Sequence, residues 1–435
     1  MDPAAAAFTE VDELVEEVLI RFPPHDPARL AGAALICKRW CRILTGAGFR
    51  RRFRERHRAA PPMLGFLHRP LPVPPYDGAK CGFTRTTSFS PRGADLALGG
   101  AREPLDCRHG RVLIGRPPKV CDKSDCCLAV WDPVTGEKLE LPEPPLCREW
   151  SLLNWNAAVL CASSRDGTCD HLDCHRGPFL VVVVGTNILV LFACVYSSED
   201  GAWSKPTYAL QPMEDNIVCF HLSEPSVLAG NALCLISAND MDLDGSIIKY
   251  DLGTSKIDQI QLPPSTTRYT KSVVLTATEN GGLGCAIVEH SRLSLWLWVA
   301  GPKEQWVWAQ SRVIELEKII PDDDILISYR LVGFAHGLDV LFATRFDGLF
   351  IINLKSGRMK KLCKGPGIYS IIPYVSFCTP ELRVISTGEG PTVGASSAQE
   401  LRFLVQALRV TSTGEGSSAG ASSAHRTPVS DARCM

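Results

Sequence analysis

Apolar positions recur with two different periods along this chain, and the change falls near residue 60. Over 8–58 the spacing is helical. Leu14, Val15, Val18 and Leu19 form one stripe behind Asp12, a residue suited to capping a helix. Phe22-Pro23-Pro24 ends that helix. Asp26-Pro27 starts another, with Asp at the N-cap and Pro at the first helical position, where a missing N–H costs nothing. Leu30, Ala33, Ala34 and Cys37 follow on one face, and Trp40, Ile43 and Leu44 extend it. Gly46 and Gly48 are expected to stop this helix. A joint spans 59–62 with Pro61 and Pro62, and Pro70, Pro72, Pro74 and Pro75 stiffen the chain after it.

From 63 to 380 the pattern is short apolar runs broken by Gly, Pro and Ser, which predicts an all-β domain. A degenerate unit recurs: an apolar strand, a short polar turn, a second strand. It reads LAVWDPVTGEKLELP from Leu128, LFACVYSSEDGAWS from Leu191 and SIIKYDLGTSKIDQIQLP from Ser246. It returns as LSLWLWVAGPKEQWVWA from Leu293 and GLFIINLKSGRMKKL from Gly348, with Trp131, Tyr196, Tyr250, Trp298 and Ile352 in equivalent places. A period of roughly 50 residues in all-β sequence predicts the blades of a propeller. Six blades are expected, with seven as the alternative. Met63–Leu67, Ala94–Leu98 and Arg111–Ile114 are read as strands of the extra blade, and Tyr369–Phe377 as the strand that closes the ring. Pro373 restricts that strand to an edge or a bulge.

Two stretches need separate treatment. Phe179–Tyr196 carries no charge and imitates a membrane span, but Gly185-Thr186-Asn187 in its middle favours two buried strands and a turn. Residues 381–435 are rich in Ser, Gly, Thr and Ala, and Leu382–Gln399 recurs as Leu408–His425. A disordered tail with an internal duplication is expected there.

Composition adds exclusions. The formal net charge is −1, so nothing global points to nucleic acid or to a membrane. The chain has 18 cysteines, yet Met1–Glu17 has neither a basic start nor an apolar centre, so free thiols in a reducing compartment are expected. Cys161, Cys169, His171, Cys174 and His175 invite a zinc reading, but the C-x-H-x-x-C-H spacing lacks paired CxxC knuckles, and a loop of free thiols is preferred. Cys121, Cys126 and Cys127 are read the same way, and Asp322-Asp323-Asp324 as a solvated loop. Arg50, Arg51, Arg52, Arg54, Arg56 and Arg58 suit the C-terminal end of a helix, with a nuclear signal or a nucleic-acid contact as the alternative. Trp131, Trp298, Trp306 and Trp308 are read mainly as packing between blades. No catalytic motif is found, so no catalytic residue, metal or cofactor is assigned.

Two resemblances bear on these residues. Glu13-Leu14-Val15-Glu16-Glu17-Val18-Leu19-Ile20-Arg21-Phe22-Pro23, then Cys37-Lys38-Arg39-Trp40, then Phe49 and Phe53, resemble the F-box of plant F-box proteins in order and spacing. The family's opening Leu-Pro is Val11-Asp12 here, and its Leu before Pro23 is Phe22. Asp106–Gly115, Val130–Gly136, Cys169–Cys174 and Leu349–Lys360 look like the propeller that follows the F-box in a large grass family. The resemblance implies an α+β multidomain chain: a small all-α F-box over 8–58 and an all-β propeller over 63–380. It implies the substrate-recruiting subunit of an SCF-type cullin ubiquitin ligase, cytoplasmic, nuclear or both. Leu14, Val18, Leu19, Pro23, Leu30, Cys37 and Trp40 would dock a Skp-family adaptor, and through it a cullin, while propeller loops bind a target protein. The alternatives are an F-box scaffold outside the ligase or a decayed duplicate and, less favoured, a propeller enzyme.

Overall fold

The computed structural model describes residues 12–70, 80–99, 102–116, 127–145, 154–165, 169–172, 174–186, 190–210, 220–221, 225–239, 245–264, 271–278, 280–289, 292–301, 305–316, 329–345, 348–364 and 368–380. The duplicated tail, Asp322-Asp323-Asp324, Cys121 and Cys126 lie outside them. Two compact units form. One holds described residues 12–64, 85–90 and 377–380, and the other holds 65–70, 80–84 and 91–376.

The first unit is built on helices α1 (12–19), α2 (Pro27–Ile36), α3 (Lys38–Thr45) and α4 (Ala47–His57). Asp26 occupies the N-cap of α2 with Pro27 behind it, but its carboxylate accepts from Arg29 at 2.9 Å and makes no cap bond. The apolar run through Leu44 is not one helix. Cys37 is fully extended between α2 and α3, and its sulfur accepts from the Trp40 N–H as the cap of α3. Gly46 separates α3 from α4, whereas Gly48, expected as a stop, lies inside α4. Among the described residues nothing lies within 4 Å of a Cβ built at Gly48, and its neighbours carry the helix past it. The core comprises Leu19, Ile20, Leu30, Ala33, Leu44, Phe49 and Phe53, with Phe377 edge-on to Phe53.

The second unit is a six-bladed propeller. Strands β1 (Met63–Pro70) and β2 (Gly82–Arg85) precede the short helix α5 (Ala94–Ala97). The first sheet is then β3 (Glu103–Arg108), β4 (Arg111–Gly115), β5 (Leu128–Trp131) and β6 (Lys138–Glu140). The second is β7 (Asn154–Cys161), β8 (Phe179–Thr186) and β9 (Val190–Ser197), with β10 (Ala202–Trp203) and β11 (Thr207–Leu210) both on β9. In the third, β12 (Phe220–His221) and β13 (Val227–Ala229) share β14 (Ala232–Asn239), followed by β15 (Ser246–Asp251) and β16 (Ile257–Gln261). The fourth is β17 (Lys271–Ala277), β18 (Leu283–Glu289), β19 (Arg292–Ala300) and β20 (Trp306–Glu315). The fifth is β21 (Arg330–Ala335), β22 (Val340–Arg345), β23 (Gly348–Asn353) and β24 (Met359–Lys364). The sixth joins both ends of the domain: β25 (Ile368–Val375) pairs with β1, and β1 with β2.

Ring closure comes from this last sheet. First strands touch in sequence around the ring, β3 on β7 and β17 on β21, and β25 reaches both β21 and β3. Pro373 is tolerated because β25 ends its sheet, and one of its edges carries no ladder partner among the described residues. Gly333 lets β21 approach: a Cβ there would lie 2.3 Å from the Ile371 carbonyl oxygen. Two expectations about the extra blade need correction. Ala94–Leu98 is not a strand; Ala94–Ala97 is helical, since Ala, Asp and Leu follow no strand alternation and Gly93 turns the chain at φ 69°. Arg111–Ile114 pairs with β3 and β5 and so belongs to the blade that ends in the first repeat.

The five repeats are the outer hairpins of five blades. Trp131, Tyr196, Tyr250, Trp298 and Ile352 pair with Lys138, Trp203, Ile257, Trp308 and Met359 across those hairpins. Short polar side chains hold the turns. Asp132 Oδ1 accepts from Val134 and Thr135 N–H, and Asp251 Oδ1 from Gly253 and Thr254 N–H. Those bonds, the Thr254 N–H first, hold the Asp251 carboxyl below its usual range.

The core lies between blades. Val181 and Val183 of β8 face the first blade, while Leu180, Val182 and Val184 face the third. Burial on both faces explains why β8 reads as an unbroken apolar run. No helix among the described residues is long and apolar enough to cross a membrane. Outer tryptophans tie blades together: Trp203 Nε1 donates to the Pro142 carbonyl and Trp308 Nε1 to that of Gln261, each at 2.8 Å. Trp131 is buried, Trp298 packs with Trp308 in the interface between the third and fourth blades, and Trp306 is exposed.

Candidate functional site

The helical unit divides its apolar residues between an inner and an outer set. Val15 and Leu19 of α1 turn inward, and Leu19 is fully buried. Leu14 and Val18, four residues apart, turn outward at 67% and 58% exposure. Leu30 is buried, Pro23 is half-buried, and Trp40 is half-buried against the core. Cys37 is exposed. The seven residues singled out from the sequence therefore do not share one surface. Leu35 and Ile36, at the end of α2, were not singled out, yet Ile36 is 65% exposed. The signal was present: Ala33 to Cys37 is five apolar residues in succession, more than one helical face buries. Asp12 of α1 pairs with Arg39 of α3, which brings the start of α1 beside the α2–α3 junction. The outer set is thus four exposed apolar side chains, Leu14 and Val18 of α1 and Leu35 and Ile36 at the end of α2. Arg52 of α4 pairs with Glu16, and Phe49 and Phe53 hold α4 to the core.

At the ring centre a buried ion pair links three blades. Asp106 of β3 accepts from Arg108 at 2.8 Å and from the Val159 N–H of β7 at 2.8 Å. Arg108 also donates to the Ser226 hydroxyl at 3.0 Å and to the Ser226 carbonyl, beside the third blade. Burial pushes the Asp106 carboxyl up, against the pull of Arg108 and of the backbone N–H groups it accepts from. These groups are committed to one another and act as a structural pin.

A second convergence lies where β7 passes to β8. Cys161 ends β7, Cys169 and His171 follow in the loop, and Cys174 precedes the return to β8. Their ligand atoms all lie within 4.8 Å of one another. Cys174 Sγ is 3.6 Å from His171 Nδ1, and Cys169 Sγ accepts from the His171 N–H at 3.4 Å. His171 adopts φ 55°, and its ring stacks on His109 at 4.2 Å. Burial pushes the Cys161 and Cys174 thiols up and the His171 imidazole down. His175 is not one of the four. Two other thiols are raised mainly by loss of solvent: half-buried Cys81, with Glu103 adding to the effect, and buried Cys234 are each pushed up to about 12.

A family model and several solved structures are similar to parts of the chain. Among solved structures, the WD40 domain of SCAP from fission yeast is similar at 12% identity and TM-score 0.33, over 62% of this chain and 56% of that one. The Dos1 propeller matches at 9% identity and TM-score 0.32, over 63% of this chain and 68% of that one. Regucalcin from Agrobacterium tumefaciens matches at 10% identity and TM-score 0.32, over 64% of this chain and 75% of that one. No curated protein matches the chain. A family model described as F-box protein AT5G49610-like, beta-propeller, matches residues 104–364, from the first strand of the first complete blade to the last strand of the fifth. With more than half of its length under that match, and with the blades in place to carry it, the chain belongs to the F-box protein AT5G49610-like β-propeller family.

Proposed function

We propose that the chain is the substrate-recruiting F-box subunit of an SCF-type cullin ubiquitin ligase. The observation that carries this is the outer set of apolar side chains on the helical unit. Leu14, Val18, Leu35 and Ile36 leave large apolar side chains in water on a unit too small to afford that without a partner. A Skp-family adaptor is the partner that the F-box resemblance and the family membership favour. In this reading residues 8–58 dock the adaptor and, through it, a cullin, and loops of the propeller over 63–380 take the target. Leu19 and Leu30 would then support the docking surface from within, and Pro23, Cys37 and Trp40 would border it. The chain performs no bond chemistry. It raises the effective concentration of a target lysine near the ubiquitin carrier. The place of action is the cytoplasm, the nucleus or both.

Tagged full-length chain expressed in plant cells should co-purify with both the Skp-family adaptor and a cullin. The variant Val18→Asp/Ile36→Asp, altered only at exposed positions, should lose both. Recovery of neither protein with the parent chain would favour a scaffold outside the ligase, or a decayed duplicate, and overturn the proposal.

A further inference from the structure

We propose that Cys161, Cys169, His171 and Cys174 form a structural zinc site that fastens the β7–β8 loop to the end of β7. Three thiols and one imidazole are the ligand set that suits this ion, and four protein ligands leave no open position, as in structural sites. The geometry agrees. Zinc–sulfur and zinc–nitrogen bonds of usual length at a tetrahedral angle place sulfur and nitrogen about 3.6 Å apart. Cys174 Sγ and His171 Nδ1 are 3.6 Å apart. The widest spread in the group, 4.8 Å, closes to such a tetrahedron with side-chain shifts of about 1 Å.

The surroundings fit the ion. Zinc with three thiolates and a neutral imidazole carries one net negative charge. The buried guanidinium of Arg111 lies within electrostatic reach of Cys174 and Cys161 and offsets it. Arg111 also donates to the Gly177 carbonyl at the end of the same loop. The stack on His109 fixes the plane of the His171 ring, as an outer partner of a ligand does. His171 is exposed while Cys161 is buried, so the ion has a route in from solvent and an anchor in the sheet. The loop has need of a clasp: of its described residues, only Leu172 buries a large apolar side chain. Binding exchanges the thiol protons for the metal and releases them to solvent, so affinity falls as pH falls.

The test uses the full-length chain purified under reducing conditions. Elemental analysis should find about one zinc per chain, in line with a closed four-ligand site. Cobalt in its place should give the intense visible absorption of a tetrahedral thiolate complex. Cys169→Ser and His171→Asn should each weaken zinc by more than the roughly 10–100-fold that loss of an outer partner costs. Asn is chosen because it tolerates the left-handed backbone at position 171. Cys285→Ser, in β18 and outside the group, should leave the metal in place. Circular dichroism checks that each variant keeps its sheet. A parent chain with neither stoichiometric zinc nor the cobalt spectrum would overturn the proposal. So would Cys169→Ser and His171→Asn chains that hold zinc as tightly as the parent.

Discussion

Asp106→Ala should destabilise the propeller by roughly 3–5 kcal/mol, the usual cost of removing one partner of a buried ion pair. The pair is well inside: the Asp106 side chain is 5% exposed and that of Arg108 11%. Alanine leaves the Arg108 cation without its counter-charge and the Val159 N–H without its acceptor. Three blades lose a common anchor, because Arg108 reaches the Ser226 backbone and hydroxyl from the same position. The double variant Asp106→Ala/Arg108→Met should cost less than Asp106→Ala alone, since it removes the stranded charge as well. Urea denaturation reads both. A loss below about 1 kcal/mol for Asp106→Ala, the range of an exposed pair, would show that Arg108 finds water instead.

Trp131→Ala should cost roughly 3–5 kcal/mol, the range for deleting a large buried aromatic side chain. Trp131 is fully buried at the end of β5, and its Nε1 donates to the Arg92 carbonyl at 2.9 Å. The Arg92 N–H returns a bond to Pro133 at 2.8 Å, so the indole closes a clasp between the segment before α5 and the first outer hairpin. Loss of its hydrogen bond adds about 1 kcal/mol. Trp306→Ala is the control. At 58% exposure it should shift stability by about 0.5 kcal/mol or less. Equal losses for the two tryptophans, measured by denaturant midpoint, would mean that burial of Trp131 does not hold its blade.

The propeller was legible because one local geometry repeats. Each outer hairpin needs an apolar strand, an Asx-type or serine turn and a second strand, and that need leaves a mark at Leu128, Leu191, Ser246, Leu293 and Gly348. The sixth blade was only half legible. Pairing of Ile368–Val375 with Met63–Pro70 joins segments at opposite ends of the domain and imprints nothing on either. Tyr369–Phe377 is apolar enough to mark the closing strand, but the second and third strands of that sheet are not at Ala94 and Arg111, where the apolar pattern puts them. In the helical unit the apolar residues were visible, and their division between core and surface was not. From Leu14 to Leu19 the stripe spans about 140° of the helix at 3.6 residues per turn, wider than the side facing the core. Helical spacing alone does not say which half is left outside. The Cys/His group was visible as a composition and discounted on linear spacing. Its fourth member, Cys161, comes from a strand end, and only the return of the chain to β8 brings it to the others.

Direct binding of the purified full-length chain to a purified Skp-family adaptor tests the central claim. Size-exclusion chromatography should show one adaptor per chain. Leu14→Asp/Val18→Asp should weaken the complex about 100-fold or more, because each substitution would bury a charge at the interface. Both positions are exposed in the chain alone, so the urea midpoint of the variant should match that of the parent. A parent chain that forms no complex, or a double variant that binds as tightly as the parent, would contradict the account.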